Sequence, residues 1–581
     1  MENPLSSELE HWGARATVLS GKRKGKPSGP RGPAKVAFRQ DWSIGKASAE
    51  ADDDLLRQCF IDNGIAAQLR NTEDNASIVL GRVGIGKSAI LNYIEQHENN
   101  VVRIDPTLFS IKYICNSNAL QFVSALGVKL DPIFQALWKH VLCVEYIRLR
   151  YNIKSESDAR GVWAKISTTF SFNEAKRRAY DYFKQFGGVD FWKTTEVRLR
   201  EIDKLLENQL TANLSIPQEV INAGAAGTRR LTERERIEVV TNAKSVIDGI
   251  QMSSLQQVIK SLAEIEDGSS YNKYYIIIDD LDTEWADSDV RHRLIRALIE
   301  TIRRFRPIRN LKIIIAMRTD LMQSVITATK DAGLQAEKLE DFYARVTWTE
   351  SELKSLVEKR VNVALRNKYT RSHVEFQDIF PREVRQKSTW DYILERTLRR
   401  PRDLIIFVNE CFKVASGRVD MTPTLVQDAY RNYSAGRKVS LLEEWNDIYP
   451  DLSIHLDFLA GFRSRLKIMD ISTAHFNQFM FRYIGRDVSV DPITRAMNEL
   501  AEGHGDIYSL HDALPTIRVL LESLYQVGAI GFVFPPVHNV RWVGNQMDHL
   551  SASAIDLATV IVVHPMLHDT LGINASADKP S

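Results

Sequence analysis

From Ala76 to His97 the chain reads ASIVLGRVGIGKSAILNYIEQH, and no other stretch limits the fold as much. A short apolar strand, Ile78 to Leu80, runs into Gly81, Arg82, Val83, Gly84, Ile85, Gly86, Lys87 and Ser88, and then into residues with helical spacing. The spacing G-x4-G-K-S has a physical meaning in this setting. Glycines let backbone N–H groups close around phosphate oxygens without Cβ clashes, and the following helix offers its positive end. Lys87 is placed to reach the outer phosphates and the Ser88 hydroxyl to bind magnesium. A loop of this kind needs a buried strand behind it and a helix ahead, which makes the chain an α/β protein with a parallel sheet.

A second stretch, YYIIIDDLD from Tyr274 to Asp282, has the continuous β-branched run of a strand buried on both faces. Asp279, at its end, is the expected magnesium carboxylate, and Asp280 the expected base that polarises water. Asp282 is read as a helix cap or loop-fixing residue. These roles require the strand to lie beside the glycine-loop strand.

Together the two stretches resemble the additional-strand class of P-loop ATPases, in particular the AAA+ and STAND branches with their bacterial conflict-system and replication-initiator-like members. The resemblance implies ATP and Mg2+ as cofactors. It places nucleotide contacts on Gly81, Val83, Gly84, Ile85, Gly86, Lys87, Ser88 and Ala89, and the metal on Ser88 and Asp279. It also implies that LKIIIAMRTDL, residues 311 to 321, forms a strand between the two motif strands and ends in a sensor, Arg318. LRRPRDLIIFVNEC resembles the lid segment of such ATPases, with Arg402 touching the γ-phosphate. Assembly of several copies is the usual corollary, and Arg303, Arg304 and Arg306 form the candidate cluster for an arginine acting in trans. Where strongly hydrolytic relatives carry Asp-Glu, this chain has Asp279-Asp280, the pair common in slow switches.

The remainder of the chain is read by pattern. Its 581 residues, 44% hydrophobic and 26% charged, suit a multidomain globular protein. No apolar run approaches the roughly 20 residues that span a bilayer. No secretion signal is evident, and the four cysteines lack metal or disulfide spacing; a cytoplasmic protein is expected. Residues 1–50 read as a basic flexible tail, with no acid between His11 and Gln40, able to neutralise nucleic-acid phosphates. The ATPase core is expected in two parts, 51–130 and 251–345, split by a helical insertion over 131–250 whose charged portion begins near residue 151. A helical lid is expected over 346–440, opened by Thr349 and Glu352 as a capping box. Over 441–581, helical patterns followed by GFVFPPVHNVRWVG give the order of a winged-helix-like domain, in which Arg541 would meet DNA phosphate. His564 and His568 have no convincing ligand partners and are read as structural. Two functions fit: a nucleic-acid-associated ATPase in bacterial defence or DNA maintenance, or a slow oligomerising switch for a separate effector protein.

Overall fold

The computed structural model describes residues 37–106, 117–153, 204–250, 254–264, 272–283, 288–329, 336–366, 373–486, 491–504, 509–534, 539–544 and 552–574. The basic arm before residue 37, the charged segment 154–203 and the Pro-Pro turn of the C-terminal hairpin lie outside them.

Five strands form a parallel sheet: β1 (Ile78–Gly81), β2 (Val101–Ile104), β3 (Tyr274–Ile278), β4 (Leu311–Arg318) and β5 (Tyr343–Arg345), in the order β2-β3-β4-β1-β5. The register runs Ile78 with Ile315 and Ile278 with Ile315, so β4 separates the glycine-loop strand from the acidic one. The acidic strand is therefore not the immediate neighbour of β1, and the 311–318 strand holds the central place that the resemblance implies. Both motif strands still end on the same edge of the sheet, because all five run in one direction. Side chains alternate between two apolar layers: Ile276, Ile278, Ile313 and Ile315 face one, Tyr275, Ile277, Ile314 and Ala316 the other, as a sheet covered on both faces demands.

The first layer is covered by helices Asp131–Arg150 and Ser288–Phe305. Trp138 donates to the Leu294 carbonyl at 2.9 Å, and Tyr146 to Asn310 at 2.9 Å. The first helix of the 131–250 stretch thus packs on the sheet. The Asp131–Arg150 helix is buried from Ile133 to Ile147 apart from Gln135, with Lys139, His140 and Glu145 among the enclosed residues.

The second half of the chain gathers around its own apolar cluster. Helix Glu350–Arg366 starts with the expected capping box, Glu352 accepting from the Thr349 amide at 2.7 Å and Thr349 from the Glu352 amide at 3.3 Å. A small antiparallel pair, β6 (Glu383–Val384) and β7 (Lys387–Ser388), precedes helices Pro401–Val414 and Pro423–Trp445. Beyond them β8 (Arg465–Lys467), β9 (Ile530–Val533) and β10 (Val560–Val563) make an antiparallel sheet in the order β8-β10-β9. Lid and C-terminal residues share one cluster, and the 23-residue helix Pro423–Trp445 ties them. Tyr430 donates to the Pro565 carbonyl and Ser434 to the Met566 carbonyl, each at 2.7 Å. His564 accepts from the Met566 amide at 3.1 Å and His568 contacts the Val563 carbonyl at 2.9 Å.

The segment 37–52, grouped with the tail by composition, is packed onto this half. Phe38, Trp42 and Ile44 are buried in its cluster, and Phe38 pairs with the 417–418 backbone in both directions. Three apolar anchors in a polar stretch are enough to fix it. Gly45 makes the turn with φ of 112°, and a Cβ there would collide with Arg360 and Asp52, which form a buried ion pair at 2.7 Å. Gly45→Ala is expected to destabilise the protein by roughly 1–3 kcal/mol, the scale of a strained positive-φ residue. The denaturation midpoint measures this, and an unchanged midpoint would show that the strap is not held as described.

Candidate functional site

The glycine loop, the acidic strand end, helices Glu350–Arg366 and Pro401–Val414, and the 37–52 strap meet around a cavity of about 250 Å³. Gly84 and Gly86 adopt φ of 75° and 107°, conformations that glycine reaches without penalty. The second of them begins helix Lys87–His97, whose first amides open on the cavity. Trp348, just beyond β5, donates from its indole to the Ile85 carbonyl at 2.7 Å and holds the loop's outer turn. Lys87 reaches back to the carbonyls of Gly81 at 3.1 Å and Arg82 at 3.3 Å. Burial pushes its ammonium below the usual lysine range, against the pull of Asp282 and Asp279.

Of the residues expected to make the site, Val83, Gly84, Gly86, Lys87, Ser88, Ala89, Asp279, Asp280 and Arg402 line this one cavity. Gly81 and Ile85 support the loop from behind, with Ile85 buried. Asp282, expected as a cap, is on the cavity wall with the other two acids. Asp279 is buried and receives Arg103 at 2.5 Å, and Arg103 also donates to Asn92 at 2.9 Å. Asp280 follows at the exposed rim with φ of 59°. Among side-chain-bearing residues Asp and Asn enter that region most easily, which suits the shorter acid here. Partial burial, then the neighbouring Asp279 charge, raises the Asp280 carboxyl to about 6.

Arg402 packs its side chain against Gly84, where an added Cβ would meet the Arg402 Cβ at 2.8 Å. Its amide donates to the Gly84 carbonyl at 3.3 Å and its Nε to the Ala47 carbonyl at 3.1 Å. Arg318 stands just behind the wall. It binds Asp320 at 2.6 Å and the Glu444 carbonyl at 2.9 Å, with Asp282 at 4.0 Å, and it is not on the cavity wall. Arg303 and Arg304 end the Ser288–Phe305 helix, at the edge where the strands begin and away from this cavity.

Several wall residues had no local signature in the sequence. Lys46, Ala47, Ala49 and Glu50 come from the strap. Glu50 is bonded to Ser48 at 2.6 Å; burial would raise its carboxyl, yet the Ser48 and Ser88 hydroxyls hold it below the usual range. Arg103 could have been noticed as the one charge in VVRI, a stretch otherwise fit for a buried strand.

The loop is also wired outward. Arg82 donates to the carbonyls of Gln526 at 2.6 Å and Val527 at 3.1 Å, at the end of helix Leu510–Val527. Burial, with Arg400 nearby, pushes the Arg82 guanidinium down to about 10. Arg400 donates to the Val83 carbonyl, to Asp403 at 2.8 Å and to Glu444 at 3.2 Å. Arg437 completes the cluster, donating to Glu444 at 2.7 Å.

Residues 351–442 match the FunZ-associated C-terminal helical domain. Over 508 residues the chain is 23% identical to an Escherichia coli K12 protein named "Putative transposon gamma-delta 80.3 kDa protein". The match covers 84% of this chain and 61% of that relative. The architecture is thus a mixed α/β protein with a five-stranded parallel sheet and a helical segment similar to the FunZ-associated domain. No helix among the described residues is long and apolar enough to cross a membrane.

Proposed function

We propose that the chain binds Mg-ATP in the cavity at the glycine loop, as a P-loop ATPase, and passes the nucleotide state to its lid and C-terminal module as a slow switch. The observation that carries this reading is the convergence of Lys87, Ser88, Asp279, Asp280 and Arg402, from three separate parts of the chain, on one cavity. The donor set fits magnesium, a hard cation that takes one or two carboxylates plus phosphate oxygens and water. Asp279 and the Ser88 hydroxyl would hold it, with Arg103 giving up or sharing the carboxylate. Lys87 and the loop amides would neutralise phosphate charge. The metal itself would draw charge from the outer phosphates.

Asp280 would accept the proton of the attacking water. A base with a carboxyl near 6 is ionised above that pH, so turnover should rise with pH through about 6 and then level. Asp280→Asn should keep ATP binding and lower hydrolysis by about 100-fold or more, the usual scale for loss of a positioned base. Steady-state phosphate release by the native protein and the Asp280→Asn variant, from about pH 5 to 8, decides it: turnover that survives the change shows that another group activates the water.

Arg402, packed on Gly84 and tied to the strap, would meet the γ-phosphate and lose that contact on hydrolysis, a local charge change with a distant readout. Arg82 and Arg400 would carry it to the C-terminal module, which we read as winged-helix-like from the order β8-β10-β9. Self-assembly and a separate effector protein belong to the same proposal.

A nucleic-acid role, in DNA maintenance or defence, is the second reading, and the transposon-named relative is the observation that favours it. In the present conformation, helix Leu510–Val527 exposes only His511, Asp512 and Pro515 fully, and Arg518 is occupied by the Ile555 carbonyl at 2.7 Å. Contact through Arg541 and the basic tail, to phosphate rather than bases, is what this reading would use. Salt-sensitive DNA binding that stimulates turnover would support it, and ATP-dependent assembly without DNA affinity would support the switch alone.

A further inference from the structure

At the opposite edge of the sheet, where β3 and β4 begin, a second cavity of about 360 Å³ is lined by Lys139, Lys260, Arg303, Arg304, Glu264 and an apolar wall that includes Ile259 and Pro307. Four cations and one carboxylate give it a net positive lining. Arg303 and Arg304 end the Ser288–Phe305 helix, where cations are favoured by the helix dipole, and Arg303 also stands 5.6 Å over the Phe342 ring. Those two have structural reasons to be there. Lys139 is different.

Lys139 comes from the middle of helix Asp131–Arg150 and is 6% exposed. Among the described residues no carboxylate or hydrogen-bond acceptor is placed on its ammonium. Burial, then the Arg304 charge, lowers its affinity for the proton, with only the Cys143 thiol opposing. Its ammonium opens on the cavity beside Lys260, Arg303 and Arg304, and a cluster of like charges is relieved when an anion joins it. Lys, unlike Arg, acts on phosphate as a compact point charge that needs no planar partner.

We propose that this cavity is a binding site for a phosphate-bearing anion, seated on Lys139 with Lys260, Arg303 and Arg304 around it and separate from the cavity at the glycine loop. Such a ligand could be a small phosphorylated compound or the phosphodiester backbone of a nucleic acid. The enclosed volume admits one or two phosphate groups with a short apolar neighbour. The site stands whether or not the glycine loop binds nucleotide.

The experiment uses the full chain with Lys87→Ala as background, so that any phosphate binding at the glycine loop is removed, and pyrophosphate as the probe in calorimetric titration. The Lys87→Ala protein should bind pyrophosphate, and adding Lys139→Met or Arg304→Glu should weaken binding by about tenfold or more, the effect of losing one charge contact of ~1.4 kcal/mol. Methionine nearly matches lysine in shape, and removal of a cation repelled by Arg304 should leave the melting temperature unchanged or raise it. Arg304 is exposed, so its replacement keeps the test open if Lys139→Met fails to fold. No pyrophosphate binding in the Lys87→Ala protein, or equal binding in all three, would overturn the proposal. A lower melting temperature in a folded Lys139→Met protein would also count against it, because the ammonium would then serve the fold. Where binding is established, a single-stranded oligonucleotide that displaces pyrophosphate, and does so less well after Arg304→Glu, identifies a nucleic-acid source; one that does not displace it identifies a small phosphorylated compound.

Discussion

Lys87→Ala abolishes ATP binding in the proposed reading, with affinity falling by roughly 100-fold or more, equivalent to about 3 kcal/mol at 1.4 kcal/mol per tenfold. The reason is local. Lys87 is the cation that lines the floor of the glycine loop, with its ammonium held by the Gly81 and Arg82 carbonyls. Those carbonyls cannot replace a positive charge facing phosphate; they would instead repel it. Fluorescent-nucleotide titration with magnesium measures the effect. Unchanged affinity would remove the glycine loop from the nucleotide site and leave its conformation without a ligand to explain it.

Asp403→Ala should cost the protein about 3–5 kcal/mol, the range for stripping one partner from a buried charge cluster. Asp403 is fully buried, accepts from Arg400 at 2.8 Å and from the Leu398 amide at 3.2 Å, and has Arg437 at 3.4 Å. Burial alone would raise its carboxyl, but Arg400 and Arg437 hold it below the usual carboxylate range. A lowered folded-state value means that this stabilisation is present above the unfolded carboxylate value and is lost as pH falls through the folded one. Denaturant midpoints at neutral and acidic pH test both parts: the gap between the native protein and the Asp403→Ala variant should narrow on acidification. A gap below about 1 kcal/mol at neutral pH, the scale of an exposed pair, would show the cluster to be ordinary surface charge.

Much of the site was legible because it is local. The glycine spacing, the helix behind it and the apolar run before Asp279 each lie within one short stretch, and backbone preference and burial act over that range. The strand order needed a resemblance, since nothing in LKIIIAMR itself says that it lies between the other two. Arg318 draws its partners from outside its own strand. Asp320, two residues on, and the Glu444 carbonyl, 126 residues on, claim its guanidinium, and no local pattern announces the second partner. The strap was hidden for the opposite reason. Its composition is that of a tail, and only contact with Phe412 and Asn409 gives Phe38, Trp42 and Ile44 something to fold against. That the Asp131–Arg150 helix covers the sheet was equally hidden, because its run of buried residues does not say which surface encloses it.

The segment similar to the FunZ-associated domain ends at residue 442, inside the helix that runs to Trp445 and in the middle of one apolar cluster. The matched stretch thus shares its apolar cluster with residues on both sides of it. Phe38 at one end of the chain and Ile561 near the other belong to the same apolar cluster, so opening any part of it exposes surface from all three segments. The lid sequence therefore cannot bury its whole apolar face without the strap before it and the strands after it.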